Sequence, residues 1–372
     1  MLDKEEMIAE IGRWVEIETP TTSPDRVDRL MELVETEFRT LGAHTRIIQG
    51  RDGYGNHLEV ASPWGAEDQP GVLILSHLDT VHPIGTIDGR LKLRREGDRV
   101  FGPGIYDMKG GAYLALAAFR ELVLQKKTTP LPLRWLITSD EEVGSPTSEA
   151  LIVEAGRRAK YVLVTEPGRD GGKCVTARKG TARYTIRMKG CPAHSGARHH
   201  EGRSAIREMA RQILDLEALT DYETGVTTNV GLVSGGTAVN TIPEEAVLHL
   251  DVRLPTVAAA DEILPRIAAT KSHDPDVTLT VEGGGDRPPY ERTERTAALF
   301  AHARALAAEI GYDLGETFSG GGSDGNFLAD RLPILDGIGV DGNGAHTYEE
   351  HLDASSLVPR ATLILRLMET LD

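Results

Sequence analysis

Three short apolar runs, Gly71 to Leu75, Leu131 to Thr138 and Tyr161 to Val164, each stop two residues before a side chain able to bind a metal or move a proton: His77, Asp140 and Glu166. The first and last of these runs have almost no polar residue, which suits strands buried on both faces of a sheet. Helical patterns lie between and around them. Ser23-Pro24 opens one whose apolar Val27, Leu30, Met31, Val34, Phe38 and Leu41 fall three or four apart, with Gly42 at its end. Met108 to Lys127 and Glu149 to Arg158 read as two more. Alternating strand and helix predicts a doubly wound α/β sheet, and open sheets of that kind place their sites just beyond the strands' carboxyl ends.

The texture changes near Lys179-Gly180. From Ala182 to Lys189 apolar residues alternate with Arg183, Thr185, Arg187 and Lys189, the mark of a strand with one wet face. A helix from Gly202 to Leu219, strands Val226 to Val233 and Ala246 to Leu254, a helix Asp261 to Thr270 and a strand Val277 to Val281 complete an α+β module. Gly283-Gly284-Gly285 with Pro288-Pro289 reads as a hinge. After it, helix Thr293 to Ile310, strand Pro333 to Leu335 and helix Ser355 to Leu371 restore the α/β texture. The expected organisation is therefore a domain of residues 1–179 and 288–372, with a second domain, 180–287, inserted into it. The length agrees, since single cores rarely grow past ~300 residues and this chain has 372.

A net charge of −16 argues against a nucleic-acid partner, which would demand clustered Lys and Arg. No run approaches the ~18–20 apolar residues of a membrane span. Met1 to Glu18 lacks the basic start and unbroken apolar stretch of a signal peptide. Cys174 and Cys191 offer one disulfide at most, so a reducing, cytoplasmic setting is expected.

The chemistry-bearing residues sit where the sheet would put a site. Asp79 follows His77 closely enough to curl back and orient its imidazole. Asp107 lies in the glycine-rich Gly104 to Gly111, just before a helix, where a carboxylate is suited to bridging two cations. Asp140-Glu141-Glu142 are three adjacent carboxylates that repel one another unless a cation is near. Glu166 ends a strand, and His346 arrives from the far end of the chain in Gly342-Asn343-Gly344-Ala345-His346. Each alone reads as a loop histidine, a helix cap or a solvated acid. Together, His77, Asp107, Glu142, Glu166 and His346 form a nitrogen-containing, oxygen-rich set suited to zinc, and cobalt or manganese fit the same donors. Gly320 to Gly325 lacks the Gly-Lys-Ser/Thr ending of a phosphate loop; its glycines suit close backbone approach to a substrate.

His77-Leu78-Asp79-Thr80-Val81, Gly104 to Gly110, Asp140-Glu141-Glu142-Val143-Gly144, Val164-Thr165-Glu166-Pro167, Gly190 to Gly196 and Gly320 to Asp324 resemble, in order, motifs of the M20 metallopeptidases. That group includes glutamate carboxypeptidase, acetylornithine deacetylase, succinyl-diaminopimelate desuccinylase and aminoacylase. The resemblance implies a zinc-peptidase-like doubly wound sheet with an inserted α+β lid and dimerisation domain, and two Zn2+ per subunit. It implies that Asp107 bridges both metals, that His77 and Glu166 complete one site, and that Glu142 and His346 complete the other. Glu141 is then the general base and Asp79 the residue that orients His77. His194 of one subunit would stabilise the oxyanion in the site of a second copy, making a homodimer through the inserted domain. Asn240 and Arg253 would bind the substrate's carboxylate, Arg287 would add to that site, and Gly321 and Ser323 would line the pocket.

The function implied is hydrolysis of an N-acyl amino acid or a C-terminal dipeptide-like amide with a free carboxylate. A glutamate carboxypeptidase-like specificity is favoured over an N-acetyl-ornithine or N-succinyl-diaminopimelate type of deacylation. Lys173 and Arg178-Lys179 add positive charge that suits an acidic substrate. A non-catalytic carboxylate-binding protein on the same scaffold would be expected to lack a ligand or the base, and every position is filled. A nucleotide-dependent enzyme is disfavoured by the absence of a dinucleotide fingerprint after the first buried strand.

Overall fold

A computed structural model describes residues 2–372 as two compact units. The first comprises Met1–Ala177, Arg292–Phe318 and Ser323–Asp372, and the second Arg178–Glu291 and Ser319–Gly322. Among the described residues no helix is long and apolar enough to cross a membrane.

The first unit is built on a six-stranded sheet, in the order His44–Ile48, His57–Ala61, Leu133–Thr138, Gly71–His77, Ala159–Val164, Ile334–Leu335. The last four are parallel. The first two form an antiparallel hairpin that joins them at one edge. Every residue of Gly71–His77 is buried, as a strand covered by helices on both sides must be. Its two neighbours run alongside it: Leu133–Thr138 ends opposite His77 and Ala159–Val164 ends opposite Leu75, two residues before Glu166. The three strand ends that carry His77, the Asp140–Glu142 turn and Glu166 are thereby adjacent.

Helix Pro24–Thr40 has Pro24 in its first turn and buries Val27, Leu30, Met31, Val34 and Phe38, the stripe expected from the spacing. Gly42 follows its end at φ +83°, a left-handed conformation that glycine adopts without strain. Phe38 packs against Trp135 of the sheet with ring centroids 5.1 Å apart, and Trp135 meets Phe119 at 5.2 Å. Such pairs add ~0.5–1.5 kcal/mol each beyond burial. Helix Gly110–Leu124 is apolar nearly all round and lies within the core. It starts later than Met108 because Ile105–Lys109 is a wider turn with non-helical backbone at Asp107 and Met108. Gly111 packs directly on the Thr165 carbonyl, where a Cβ would come within 1.9 Å of the oxygen. That contact locks the helix start to the strand end carrying Glu166.

The second unit is a four-stranded antiparallel sheet, in the order Thr227–Gly235, Glu245–Leu254, Gly180–Lys189, Thr278–Arg287. Helices Ala205–Glu217 and Val257–Ala268 pack on it over a separate core of Ala182, Tyr184, Ile186, Met188, Leu248, Leu250 and Val252. The polar members of the alternation, Arg183, Arg187 and Lys189, are exposed. One expectation fails here. Gly283-Gly284-Gly285 is not a hinge but part of the edge strand, opposite Tyr184, Arg183 and Ala182. Gly283 has φ +115°, and a Cβ there would come within 2.1 Å of the Arg183 carbonyl. The missing Cβ of Gly283 lets the strand lie closely against its neighbour.

Candidate metal centre and active site

The last residue of the central strand, His77, is 1% exposed. Its Nδ1 lies 2.9 Å from the backbone carbonyl of Asp79. A carbonyl only accepts, so Nδ1 carries a proton, and in the neutral imidazole the Nε2 lone pair faces the site. Asp79 meets His77 chiefly through its main chain, since its carboxylate is 3.4 Å away. That carboxylate accepts instead from the backbone N–H of Glu141 and of Glu142, each at 3.2 Å, and from Thr21 Oγ1 at 2.8 Å. It thus fixes the turn carrying both glutamates.

Asp140, expected to share their repulsion, turns away. Its oxygens accept from Thr147 N, Thr147 Oγ1 and Ser148 Oγ at 2.5–2.7 Å. Two acids of that turn, Glu141 and Glu142, are left for the site.

Asp107 divides its oxygens between two groups. Oδ1 is 3.5 Å from His77 Nε2, and Oδ2 is 3.5 Å from His346 Nε2. Glu166 Oε1 lies 3.3 Å from His77 Nε2, and Glu142 Oε2 lies 3.1 Å from His346 Nε2. The donor atoms of His77, Asp107 and Glu166 lie within 4.8 Å of one another, as do those of Asp107, Glu142 and His346. His346 adopts φ +63°, a left-handed conformation uncommon for a side-chain-bearing residue and found preferentially at functional sites. Glu141 Oε2 stands 3.9 Å from His77 Nε2, beside the first group.

The residues fit a divalent cation at each group. His77 Nε2 and Glu142 Oε1 are buried, lack a hydrogen-bond partner and lie among the donors of the two groups, where a cation would satisfy them. The electrostatics agree. Burial alone would depress the His77 imidazole, yet Asp107, Asp79, Glu166 and Glu141 hold it well above the usual histidine range. Asp107 and Glu142 push His346 up to about 11. Burial raises Glu142 to about 7, whereas Asp107 is held low by both imidazoles against its own burial. The site is an anionic cage that binds protons strongly when no other cation is present.

One supporting residue has no sequence signal. Glu350, 1% exposed, accepts from His82 Nε2 at 2.7 Å and from the backbone N–H of Gly104, Tyr106 and Asp107, each at 3.0 Å. It holds the loop that presents Asp107. In Tyr348-Glu349-Glu350-His351 it reads as one of two surface acids.

The remaining candidates belong mainly to the second unit. His194 is exposed, and its Nδ1 accepts from Gly196 N and Ala197 N at 3.1 and 3.2 Å, so Nε2 carries the proton and is a donor. Asn240 is brought beside it, because Ser195 N donates to the Asn240 carbonyl at 3.0 Å. Arg253 and Arg287 both pair with Thr181 of the strand between them, in one row across the sheet. Arg253 is oriented by Asp251, with contacts of 2.7 and 3.1 Å. Arg287 is buried and packs over Gly322. The Gly321 carbonyl accepts from Arg178 Nη1 at 3.2 Å. Ser323 departs from expectation. It is fully buried, its Oγ donates to Asp336 Oδ2 at 2.6 Å and it caps the Asp324–Leu328 turn, so its hydroxyl serves the fold rather than a pocket wall.

Comparison with known proteins agrees with this geometry. The chain is 29% identical over 371 residues to carboxypeptidase G2 of Pseudomonas sp. (strain RS-16), covering 97% of this chain and 88% of that protein. It is also 29% identical over 374 residues to the succinyl-diaminopimelate desuccinylase of Bordetella parapertussis, covering 95% and 96%. Among solved structures it is similar to aminopeptidase PepT of Bacillus cereus, with TM-score 0.76 at 23% identity over 99% of this chain and 98% of that one. It is similar too to an M20 family metallo-carboxypeptidase of Sulfolobus solfataricus, with TM-score 0.73 at 16% identity over the whole of both chains. Residues 73–370 match the model of peptidase family M20/M25/M40, so the chain belongs to that family and is a metal-dependent hydrolase of amide bonds.

Proposed function

We propose that this protein hydrolyses the amide of an N-acyl amino acid or C-terminal dipeptide-like substrate with a free carboxylate, using two divalent cations. The observation that carries the reading is the division of the Asp107 oxygens between two ligand groups, each completed by one imidazole and one further carboxylate. Zinc suits these donors, and cobalt and manganese fit as well. A cation pair in such a cage supplies Lewis-acid activation of water and of the scissile carbonyl.

The chain's own residues do the rest. Glu141 takes a proton from the attacking water and delivers it to the leaving amine. Arg253, held flat by Asp251, with Asn240 and Arg287, binds the substrate carboxylate through the guanidinium fork. The 180–287 segment acts as lid and dimerisation domain. His194 Nε2–H donates to the oxyanion of a second copy's site. Exposed Leu232, Val233 and Val239, on and just beyond the edge strand Thr227–Gly235, support a dimer surface there. Free Cys174 and Cys191 support a cytoplasmic setting. The names of the relatives, a carboxypeptidase and a desuccinylase, favour removal of a carboxylate-bearing group.

The test is Glu141→Gln. Metal content measured by mass spectrometry should stay at the wild-type level while turnover falls by roughly 10²–10⁴-fold. Parallel loss of metal would make Glu141 a ligand rather than the base.

A further inference from the structure

We propose that Arg169 selects substrates with a second negative charge, which its guanidinium binds beside the ligand Glu166. The inference deepens the amidohydrolase reading and rests on it. Arg169 follows Glu166 in Glu166-Pro167-Gly168-Arg169 and starts a tight hairpin. Its backbone exchanges hydrogen bonds with Lys173 at 2.9 and 2.7 Å, and Tyr106 Oη donates to the Gly168 carbonyl at 2.5 Å. The main chain is therefore fixed on both sides of the residue. Its guanidinium lies 6.0 Å from the Tyr106 ring centroid, and the side chain is 31% exposed.

What sets Arg169 apart is how loosely it is held. Its ion pair with Glu166 is long, with Nη2 3.9 Å from Oε2, beyond hydrogen-bond reach, and the buried Nε has no partner. Structural guanidiniums in this protein are treated differently. Arg360 Nη1 donates to the Gly337 carbonyl at 3.3 Å, and Arg178 Nη1 donates to two carbonyls at 3.2 Å each. A partly buried guanidinium beside a catalytic centre, held in its own chain only by a long ion pair and a distant ring contact, suits a ligand carboxylate. Lys173, its exposed bridge partner across the hairpin, adds a second cation there. The ligand group is a carboxylate, carried either by a dicarboxylic acyl group or by an acidic side chain of the amino acid.

Matched pairs separate the two sources. N-succinyl-alanine against N-butyryl-alanine puts the extra charge on the acyl side, and N-acetyl-glutamate against N-acetyl-glutamine puts it on the amine side. The metal-loaded wild type should favour the charged member of one pair. Arg169→Met should lower kcat/KM for that member by roughly 10–100-fold while the neutral member changes less than about 3-fold. Arg169→Lys should retain part of the preference. Equal losses on charged and neutral members would mean that Arg169 acts through Glu166, and no wild-type preference in either pair would equally overturn the proposal. If the wild type cleaves none of the four, the N-acyl amino acid reading fails for them, and binding still decides the role of Arg169. Calorimetry with succinate and with butyrate should show tighter binding of the dianion by wild type and no such difference for Arg169→Met; the same difference in both proteins refutes it.

Discussion

Replacing Glu350 with Gln tests whether the carboxylate under the Asp107 loop positions the metal ligand. One oxygen accepts from His82 Nε2 and Gly104 N, the other from Tyr106 N and Asp107 N. An amide of the same shape has a single accepting oxygen. With its NH2 towards Tyr106 and Asp107, two backbone donors face a donor. With NH2 towards His82 and Gly104, the imidazole can shift its proton and accept, which leaves one N–H stranded. The second orientation is cheaper and still loses one buried hydrogen bond, at ~1–3 kcal/mol, together with the charge assistance on the others. The total is roughly 2–5 kcal/mol, or a fall in Tm of roughly 4–10 °C for a unit of this size.

The functional consequence is separable from that cost. Asp107 would keep its identity and lose its fixed loop, so metal affinity should fall by roughly 10–100-fold, as when residues supporting metal ligands are changed elsewhere. Metal-free protein titrated with zinc against a competing chelator, well below Tm and with circular dichroism confirming the fold, measures it. A variant with lowered Tm and wild-type affinity would make Glu350 a fold residue alone. Unchanged Tm and unchanged affinity would refute the hydrogen-bond argument itself.

The residues that gather into the two candidate ligand groups were legible because each is anchored to a pattern that sequence records. His77, Glu142 and Glu166 come within a few residues of buried strands, and Asp107 and His346 sit among glycines. Glu350 was not, because its partners are mostly backbone N–H groups about 240 positions earlier, and backbone donors leave no trace in residue type. The same blindness explains Asp79, whose carboxylate is claimed by two main-chain amides, and Asp140, which is satisfied within its own turn. Gly283 to Gly285 misled for the opposite reason. A glycine run reports freedom from a Cβ, and at Gly283 that freedom serves close strand packing. The edge hairpin of His44–Ile48 and His57–Ala61 was missed because its outer strand has no buried face to mark it.

Gly111→Ala should destabilise the protein by roughly 1–3 kcal/mol or more, because the new methyl group would meet the Thr165 carbonyl at 1.9 Å and backbone must move. A thermal melt within about 0.5 kcal/mol of wild type would show that the contact can relax. Loading metal should release protons, because His346, raised to about 11 by Asp107 and Glu142, holds a proton near pH 7.5 and must surrender it to ligate, and the carboxylates around His77 shift it in the same direction. For the metal-free protein the sign is that of a raised histidine: the stability His346 contributes is complete below an unfolded value of ~6.5 and is lost as pH rises through about 11. Calorimetry of zinc binding in buffers of different ionisation enthalpy should therefore count at least about one proton released at pH 7.5, with apparent affinity rising with pH. A count below about half a proton would mean that both imidazoles are already neutral, and the anionic-cage account of the site would fail with it.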